Sequence, residues 1–162
     1  MKKITFIILI VFLVVLFNQN DETIRFRVLA NSNSNYDQQV KKEVVSIVKD
    51  EFASILKDTD NISEARKRIQ ENLGTIATKV DSFLIENKIA YKSNINFGLN
   101  YFPVKELNGN RYDEGYYESV LITLGNGEGD NFWCILFPSV CLTDNNTKYE
   151  SFIKNIFNKI LK

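Results

Sequence analysis

Histidine is absent from this chain of 162 residues, and only two cysteines are present. Ser-His-Asp and Cys-His catalysis need an imidazole that titrates near neutral pH, so these hydrolase designs are excluded. Histidine-bearing zinc sites are excluded as well, and two thiolates alone leave a zinc shell incomplete. The sequence therefore predicts a protein that is not an enzyme and that has no catalytic residues, bound metal or cofactor.

An excess of positive charge is also missing. Lysine and arginine together count 20, as do aspartate and glutamate, so the formal net charge is zero. Proteins that bind nucleic acids usually neutralise phosphates with a basic stripe, which this chain does not have. We therefore expect no nucleic-acid partner. The hydrophobic content of 44% is too high for a disordered chain and suits one globular domain with a core.

A short apolar run stands near the start of the chain. Residues 4–17 are apolar apart from one threonine, follow Lys2 and Lys3, and end abruptly in polar residues. This pattern is typical of an export segment over residues 1–20. As a helix the run would be about 21 Å long, short of the roughly 30 Å bilayer core, which favours a signal peptide. Because no small-residue cleavage site follows, an uncleaved membrane anchor through residues 4–17 is the alternative.

Hydrophobic periodicity predicts the elements of residues 21–162, which we expect to form a single exported α+β domain. Strands are predicted over residues 24–30, 95–101, 118–124 and 132–137, and helices from Ser34 or Asn35 to about Lys57, from about Asn61 to Leu84, and over residues 149–161. A tight turn is predicted at Asn108-Gly109. This order indicates an antiparallel sheet with the helices packed on one face, preceded by the apolar export segment.

Cys134 and Cys141 are the only cysteines of the chain. Disulfides persist outside the cytoplasm, and Pro138 can turn the chain between them so that the two thiols face each other. A bond that closes this short loop would stabilise the fold by roughly 2.5 kcal/mol on the chain-entropy model. We favour a disulfide, and two buried free thiols are the alternative.

The glycine-rich segment Gly125–Gly129 has the composition of a phosphate-binding loop. Such a loop lies between a strand and a helix, because the N–H groups of the helix bind the anion. Here a strand is predicted to begin near Phe132, and Glu128 and Asp130 would repel phosphate. The segment is therefore predicted to be a hairpin loop.

Pairs of carboxylates can support glycoside hydrolysis without histidine. The two closest clusters are Asp113 with Glu114 and Glu128 with Asp130. Both clusters lie in predicted turns, where solvated side chains are the rule. An exported carboxylate-based cell-wall hydrolase is therefore kept as an alternative function, and a passive envelope module is another.

Two arginines, Arg25 and Arg27, alternate with apolar residues in the first predicted strand. In a strand of period two, this alternation places both of them on the same polar side. From the alternation alone, we expect both arginines to lie on a solvated face of the sheet.

Two blocks of the sequence resemble the stage II sporulation protein R family. The first block runs from Ile24 to Ser34 and continues with Asp37, Gln38 and Lys41. The second block follows the family's order and spacing and comprises Pro103–Lys105, Gly115–Glu118, Gly125–Gly129, Asn131–Pro138 and Cys141. Together the blocks cover most of the chain between Ile24 and about Asp144.

The resemblance implies a signalling protein of sporulation. Such a protein is made in the forespore, is exported into the space between the forespore and mother-cell membranes, and activates a membrane-embedded aspartic protease there. The protease then removes the pro-segment of a mother-cell sigma factor. Because loops beside a sheet present side chains on a fixed scaffold, we expect the protease to contact the edge formed by Arg25, Arg27, Asn31, Ser32, Asn33, Asp37 and Gln38.

Overall fold

The computed structural model describes residues 23–107, 110–138 and 141. Its elements are β1 (Ile24–Leu29), α1 (Asn35–Ile55), α2 (Ile62–Glu86), β2 (Ser93–Phe102), β3 (Lys105–Leu107), β4 (Asn110–Tyr112), β5 (Gly115–Leu124) and β6 (Asn131–Phe137). Three predictions concern residues outside this described part of the chain: the export segment over residues 1–20, the turn at Asn108-Gly109 and the helix over residues 149–161. Within the part of the chain that the structure describes, neither helix has the length and hydropathy that membrane crossing requires.

Both helices begin at side-chain caps. The Ser34 hydroxyl accepts a hydrogen bond of 3.1 Å from the backbone N–H of Asp37 at the start of α1. The Asn61 side chain accepts one of 2.9 Å from the N–H of Glu64 at the start of α2. Each cap satisfies a backbone donor that the first helical turn leaves without a partner. Both caps confirm the helix starts predicted from the sequence.

The four-stranded sheet has the strand order β2-β5-β1-β6. Strand β1 pairs with β5 in parallel, whereas the pairs β1–β6 and β2–β5 are antiparallel. The α+β class is confirmed, but the prediction of an antiparallel sheet is wrong, because the sheet is mixed. A parallel pair needs a long connection, and the two helices and the strands between β1 and β5 supply one.

The core lies between the two helices and one face of the sheet. The apolar residues of β1 that alternate with its arginines are fully buried, and the ring of Phe26 meets that of Phe52 from α1 edge-on at 5.4 Å between centroids. The largest fully buried side chains come from both helices and three strands: Ile24, Phe26, Val28, Val44, Val48, Phe52, Ile69, Ile76, Val80, Ile122, Leu124 and Leu136. Their single cluster confirms that the helices pack on one face.

A small hairpin of β3 and β4 forms a second, two-stranded sheet. Its antiparallel register places Leu107 opposite Asn110. The hairpin lies against the sheet face opposite the helices, since the Tyr112 ring meets the Trp133 ring edge-on at 5.0 Å between centroids. The hairpin therefore covers one end of the face that carries Arg25 and Arg27.

Candidate functional site

The loop after β1 packs against the loop between β5 and β6, and we call residues 30–34 and 125–130 together the loop junction. The backbone carbonyl of Ala30 accepts a hydrogen bond of 2.9 Å from the N–H of Gly129, and that of Asn31 accepts one of 3.2 Å from the N–H of Glu128. The two loops are therefore joined by their backbones. The junction brings together segments that stand almost 100 positions apart in the sequence.

Two asparagine side chains strengthen the loop junction. The Asn31 side-chain oxygen accepts a hydrogen bond of 3.0 Å from the N–H of Asn126. The Asn33 side-chain oxygen accepts one of 2.6 Å from the N–H of Asp130. Each amide thus satisfies a backbone donor of the opposite loop, which no aliphatic residue of similar size would do.

The close approach of the two loops depends on glycine. A Cβ atom at Gly129 would overlap the backbone carbonyl of Ser32. At Gly125, φ is +55°, and a Cβ there would overlap the Asn31 side chain. Since the atom that faces Gly129 belongs to the backbone, it cannot move aside by rotating a side chain. The glycine-rich segment is a hairpin loop, as predicted, and its glycines serve the contact between loops.

The carboxylate of Asp37, in the first turn of α1, accepts hydrogen bonds from the loop junction. One of its carboxylate oxygens accepts hydrogen bonds from Asn31 at 2.9 Å and from the Ser32 hydroxyl at 2.6 Å. The other oxygen accepts one of 2.8 Å from the Tyr91 hydroxyl. The side chain is 5% exposed, so these donors replace most of its water. Asp37 therefore fixes the loop after β1 and the chain leading into β2 at the same point.

These hydrogen bonds shift the pKa values of both acids. The Ser32 hydroxyl, with smaller contributions from Asn31 and Tyr91, holds the pKa of Asp37 below its ordinary value, against the opposing effect of burial. Burial and the hydrogen bond to Asp37 raise the pKa of Tyr91 above its ordinary value. Asp37 is therefore charged and Tyr91 protonated at neutral pH, which is the pair of states that the hydrogen bond between them needs.

A cleft of about 490 Å³ opens beside the loop junction, and we call it the cationic cleft. It is lined by Arg27, Leu29, Lys105, Gly127, Gly129, Asp130 and Asn131. The side-chain amide of Asn131 lies within hydrogen-bond distance of both the Arg27 guanidinium and the Lys105 ammonium. The guanidinium also donates a hydrogen bond of 2.9 Å to the carbonyl of Tyr101.

Lys41 supports this cleft from the helix side. Its ammonium donates hydrogen bonds of 2.6 Å to the Gln38 side chain and 2.9 Å to the Asp130 carbonyl. The residue is 8% exposed, and this burial lowers the pKa of its ammonium while the charge of Asp130 partly opposes the shift. Lys41 thus ties α1 to the end of the glycine-rich loop.

Arg25 lies in different surroundings at the other end of the same face, which we call the aromatic end. Its guanidinium carbon is 3.2 Å from the ring centroid of Tyr117 and between 5.4 and 5.9 Å from those of Phe102, Tyr112 and Trp133. The residue is 6% exposed. The prediction of a solvated face is therefore wrong for Arg25, because the hairpin and the end of β2 enclose it. Arg27 is half-buried.

The structure gathers most of the predicted partner-contacting residues into one place. Five of them, Asn31, Ser32, Asn33, Asp37 and Gln38, form the loop junction and its support, and their polar atoms largely bond to one another. Arg27 lines the neighbouring cleft, whereas Arg25 does not. The contributions of Lys41, Lys105 and Asn131 were not predicted. Their positions in the sequence could have indicated them, because all three residues lie in the two family-like blocks.

The remaining sequence candidates are also located. Cys134 and Cys141 form the predicted disulfide, with their Cα atoms 5.8 Å apart. The four carboxylates considered for hydrolysis, Asp113, Glu114, Glu128 and Asp130, are all exposed. Glu114 accepts a hydrogen bond from the Tyr101 hydroxyl, and Asp113 pairs with Arg111. Among the described residues, no group of three or more acidic or cysteine side chains is placed to hold a metal ion.

The fold and site define an α+β domain in which two separated sequence blocks build one polar surface beside a cation-lined cleft. The family model for stage II sporulation protein R matches residues 20–147. The stage II sporulation protein R of Bacillus subtilis (strain 168) is 39% identical over 124 residues, which cover 76% of this chain and 55% of that protein. The chain therefore spans just over half the length of this curated relative. No solved structure matches it significantly.

The chain belongs to the stage II sporulation protein R family. This membership supports a role in sporulation. It also confirms the family resemblance that the two sequence blocks carried.

Proposed function

We propose that this protein is an exported sporulation signal that activates a membrane-embedded aspartic protease of the mother cell and thereby triggers processing of a pro-sigma factor. It acts by binding to the protease and performs no chemistry of its own. The proposal extends the family membership to a mechanism.

The observation that carries the proposal is the convergence of the two family-like blocks at the loop junction. The first block supplies Asn31, Asn33 and Asp37, and the second supplies the glycine-rich loop that they hold. Hydrogen bonds and glycine contacts fix both loops before any partner arrives. Such preorganisation reduces the entropy that binding would otherwise lose, so it suits a surface that recognises one receptor.

The disulfide supports an extracytoplasmic location. The bond between Cys134 and Cys141 joins the end of β6 to the segment that follows it. Disulfides form and persist in oxidising compartments and are rare in the bacterial cytoplasm. A protein delivered into the space between two membranes would keep this bond.

The exposed carboxylates favour binding over hydrolysis. A glycosidase needs one carboxylic acid that stays protonated near neutral pH, and such acids are made by burial in apolar surroundings. Asp113, Glu114, Glu128 and Asp130 all face solvent. These four carboxylates therefore give no specific support for a cell-wall hydrolase.

The test is sigma-factor processing in a reconstituted host. A non-sporulating bacterium would carry the protease and its pro-sigma substrate, with or without the full-length chain, and processing would be followed by immunoblot. We expect cleavage only when the chain is present and exported. Cleavage without the chain, or equal cleavage when deletion of residues 1–20 keeps the chain inside the cell, would refute the proposal.

The same assay separates signalling from hydrolysis. A variant with Asp113→Asn and Glu114→Gln keeps the size of each side chain and leaves the loop junction and the cationic cleft unchanged. Because we propose no chemistry for these groups, we expect this variant to support processing at the wild-type level. Complete loss of processing by a folded variant would favour the hydrolase instead.

A further inference from the structure

We propose that the cationic cleft binds a carboxylate on an acidic peptide segment of the partner protein, with Arg27 and Lys105 as its direct ligands. The identity of that partner rests on the proposed function, but the chemistry of the cleft does not.

The charges around the cleft are unbalanced within the protein. Three cations, Arg27, Lys41 and Lys105, stand against the carboxylate of Asp130 in the cleft lining. None of the three takes part in the ion pairs of the described residues, which all lie elsewhere. The Arg27 guanidinium instead meets a neutral carbonyl, a neutral amide and the ring of Phe102, whose centroid is 5.3 Å away. Burial lowers the pKa of this guanidinium, which reflects lost hydration that no ion pair among the described residues replaces. An anion entering the cleft would restore that stabilisation.

The two lysines have different roles in the cleft. Lys41 is 8% exposed and its hydrogen bonds go to Gln38 and to the Asp130 carbonyl, so it positions the cleft wall. Lys105 lines the cleft itself, beside Asn131. Arg27 and Lys105 are therefore the cations that a ligand can reach. A guanidinium offers two parallel N–H donors to a carboxylate, which gives the contact direction as well as charge.

A phosphate group is a poorer fit than a carboxylate. Phosphate-binding loops present free backbone N–H groups to the anion. In the glycine-rich loop the N–H groups of residues 126–130 already donate within the protein, to Leu124, Ala30, Asn31 and Asn33. The carboxylate of Asp130 also lines the cleft and would repel a dianion more strongly than a monoanion. The cleft therefore depends on its side-chain cations, which match a singly charged carboxylate.

The single tryptophan of the chain, two positions from the cleft residue Asn131 on β6, serves as an indirect fluorescence probe. Trp133 stands opposite Arg27 in the register of β1 and β6. The full-length chain in nonionic detergent would be titrated with an acetylated, amidated peptide of alternating glycine and glutamate, and its fluorescence recorded. The matching peptide with glutamine, inorganic phosphate and glycerol phosphate (a lipid-headgroup analogue) would be titrated in parallel.

We expect the glutamate peptide to bind more tightly than the other three probes, with an affinity that falls as salt is added. The double variant Arg27→Gln/Lys105→Gln should bind that peptide at least about tenfold more weakly. The control variant Lys57→Gln/Lys67→Gln removes two exposed positive charges away from the cleft and should bind as the wild type does. Equal binding by the cleft variant and the wild type would overturn the inference, and so would tighter binding of either phosphate.

The processing assay distinguishes failure of this inference from failure of the proposed function. If the wild-type chain supports cleavage and the cleft variant does not, both the cleft inference and the proposed function are supported. If both support cleavage equally, the cleft is not the contact with the protease, although the signalling role stands. If the glutamate peptide binds but the wild-type chain supports no cleavage, the site stands and the proposed function fails.

Discussion

Arg25 and Arg27 lie two residues apart on the same face of β1, yet the two ends of that face surround their side chains differently. At the aromatic end, Arg25 is 6% exposed and its guanidinium lies 3.2 Å from the ring centroid of Tyr117. At the loop end, Arg27 lines the open cationic cleft. The first cation is used for packing, and the second faces a space that a ligand can enter.

This difference shows how one strand can serve both stability and recognition. Cation–π contacts of a desolvated arginine with several rings contribute to the folded state without needing a partner. Arg27, which contacts one carbonyl, one amide and one ring, contributes less to folding and keeps its charge for an incoming anion. Changes at the aromatic end should therefore lower stability, and changes in the cleft should lower binding.

The largest effect is expected from breaking the loop junction. Gly129→Ala places a Cβ against the Ser32 carbonyl, so we expect the free energy of unfolding to fall by about 2–4 kcal/mol. The measurement is urea denaturation followed by Trp133 fluorescence. Gly98→Ala, where a Cβ meets nothing within 4 Å, is the matched control and should change stability by less than about 0.5 kcal/mol. Similar losses for both variants would show that the glycine contact is not the cause.

A smaller effect is expected from exchanging the two arginines for methionine, which keeps an apolar stem but removes the charge. Arg25→Met should lower the free energy of unfolding by about 1–2 kcal/mol, because its cation–π contacts are lost. Arg27→Met should lower it by about 0.5–1 kcal/mol, because it loses the hydrogen bond to the Tyr101 carbonyl and a contact with the Phe102 ring, whereas Arg25 contacts four rings.

Binding of the glutamate peptide should show the reverse order. Arg27→Met should weaken it and Arg25→Met should leave it near the wild-type value, as measured by the same fluorescence titration. If Arg25→Met weakened binding as much as Arg27→Met, the two ends of the face would not be separate in function.

The smallest effect is expected in the pH dependence of stability. The pKa of Asp37 lies below its ordinary value of 3.8 in the folded state. Its ionised carboxylate therefore contributes to the free energy of unfolding at neutral pH, and this contribution is lost as the pH falls below about 4. Because the pKa of Tyr91 is raised above its ordinary value of 10.0, its contribution is lost as the pH rises beyond about 10. Urea denaturation at a series of pH values measures both.

Two variants isolate these contributions. The difference in stability between the wild type and Asp37→Asn should shrink as the pH falls below about 4, since the wild type then loses the same charge. The difference between the wild type and Tyr91→Phe should shrink above about pH 10. A difference that stayed constant across the pH range would mean that the hydrogen bond between Asp37 and Tyr91 does not depend on their ionisation.

Local signals predicted the parts of this fold that local interactions form. The helix start at Ser34 was predictable because its hydroxyl bonds to a backbone N–H three residues away. The buried alternation of β1 and the turn character of the glycine-rich loop are visible over a few positions in the same way. The family-like blocks also predict Asn31, Asn33 and Asp37 as partner-contacting candidates.

The sequence by itself determined α1, α2, the four strands of the larger sheet and the apolar face on which the helices pack, because hydrophobic periodicity and capping act between near neighbours along the chain. It did not predict the short strands β3 and β4. Only the tertiary structure decided that β1 pairs in parallel with β5, that Arg25 is enclosed while Arg27 is not, and that the two blocks meet at the loop junction. These outcomes depend on contacts between residues up to more than 100 positions apart, and no local pattern in the chain specifies which distant residues will come into contact.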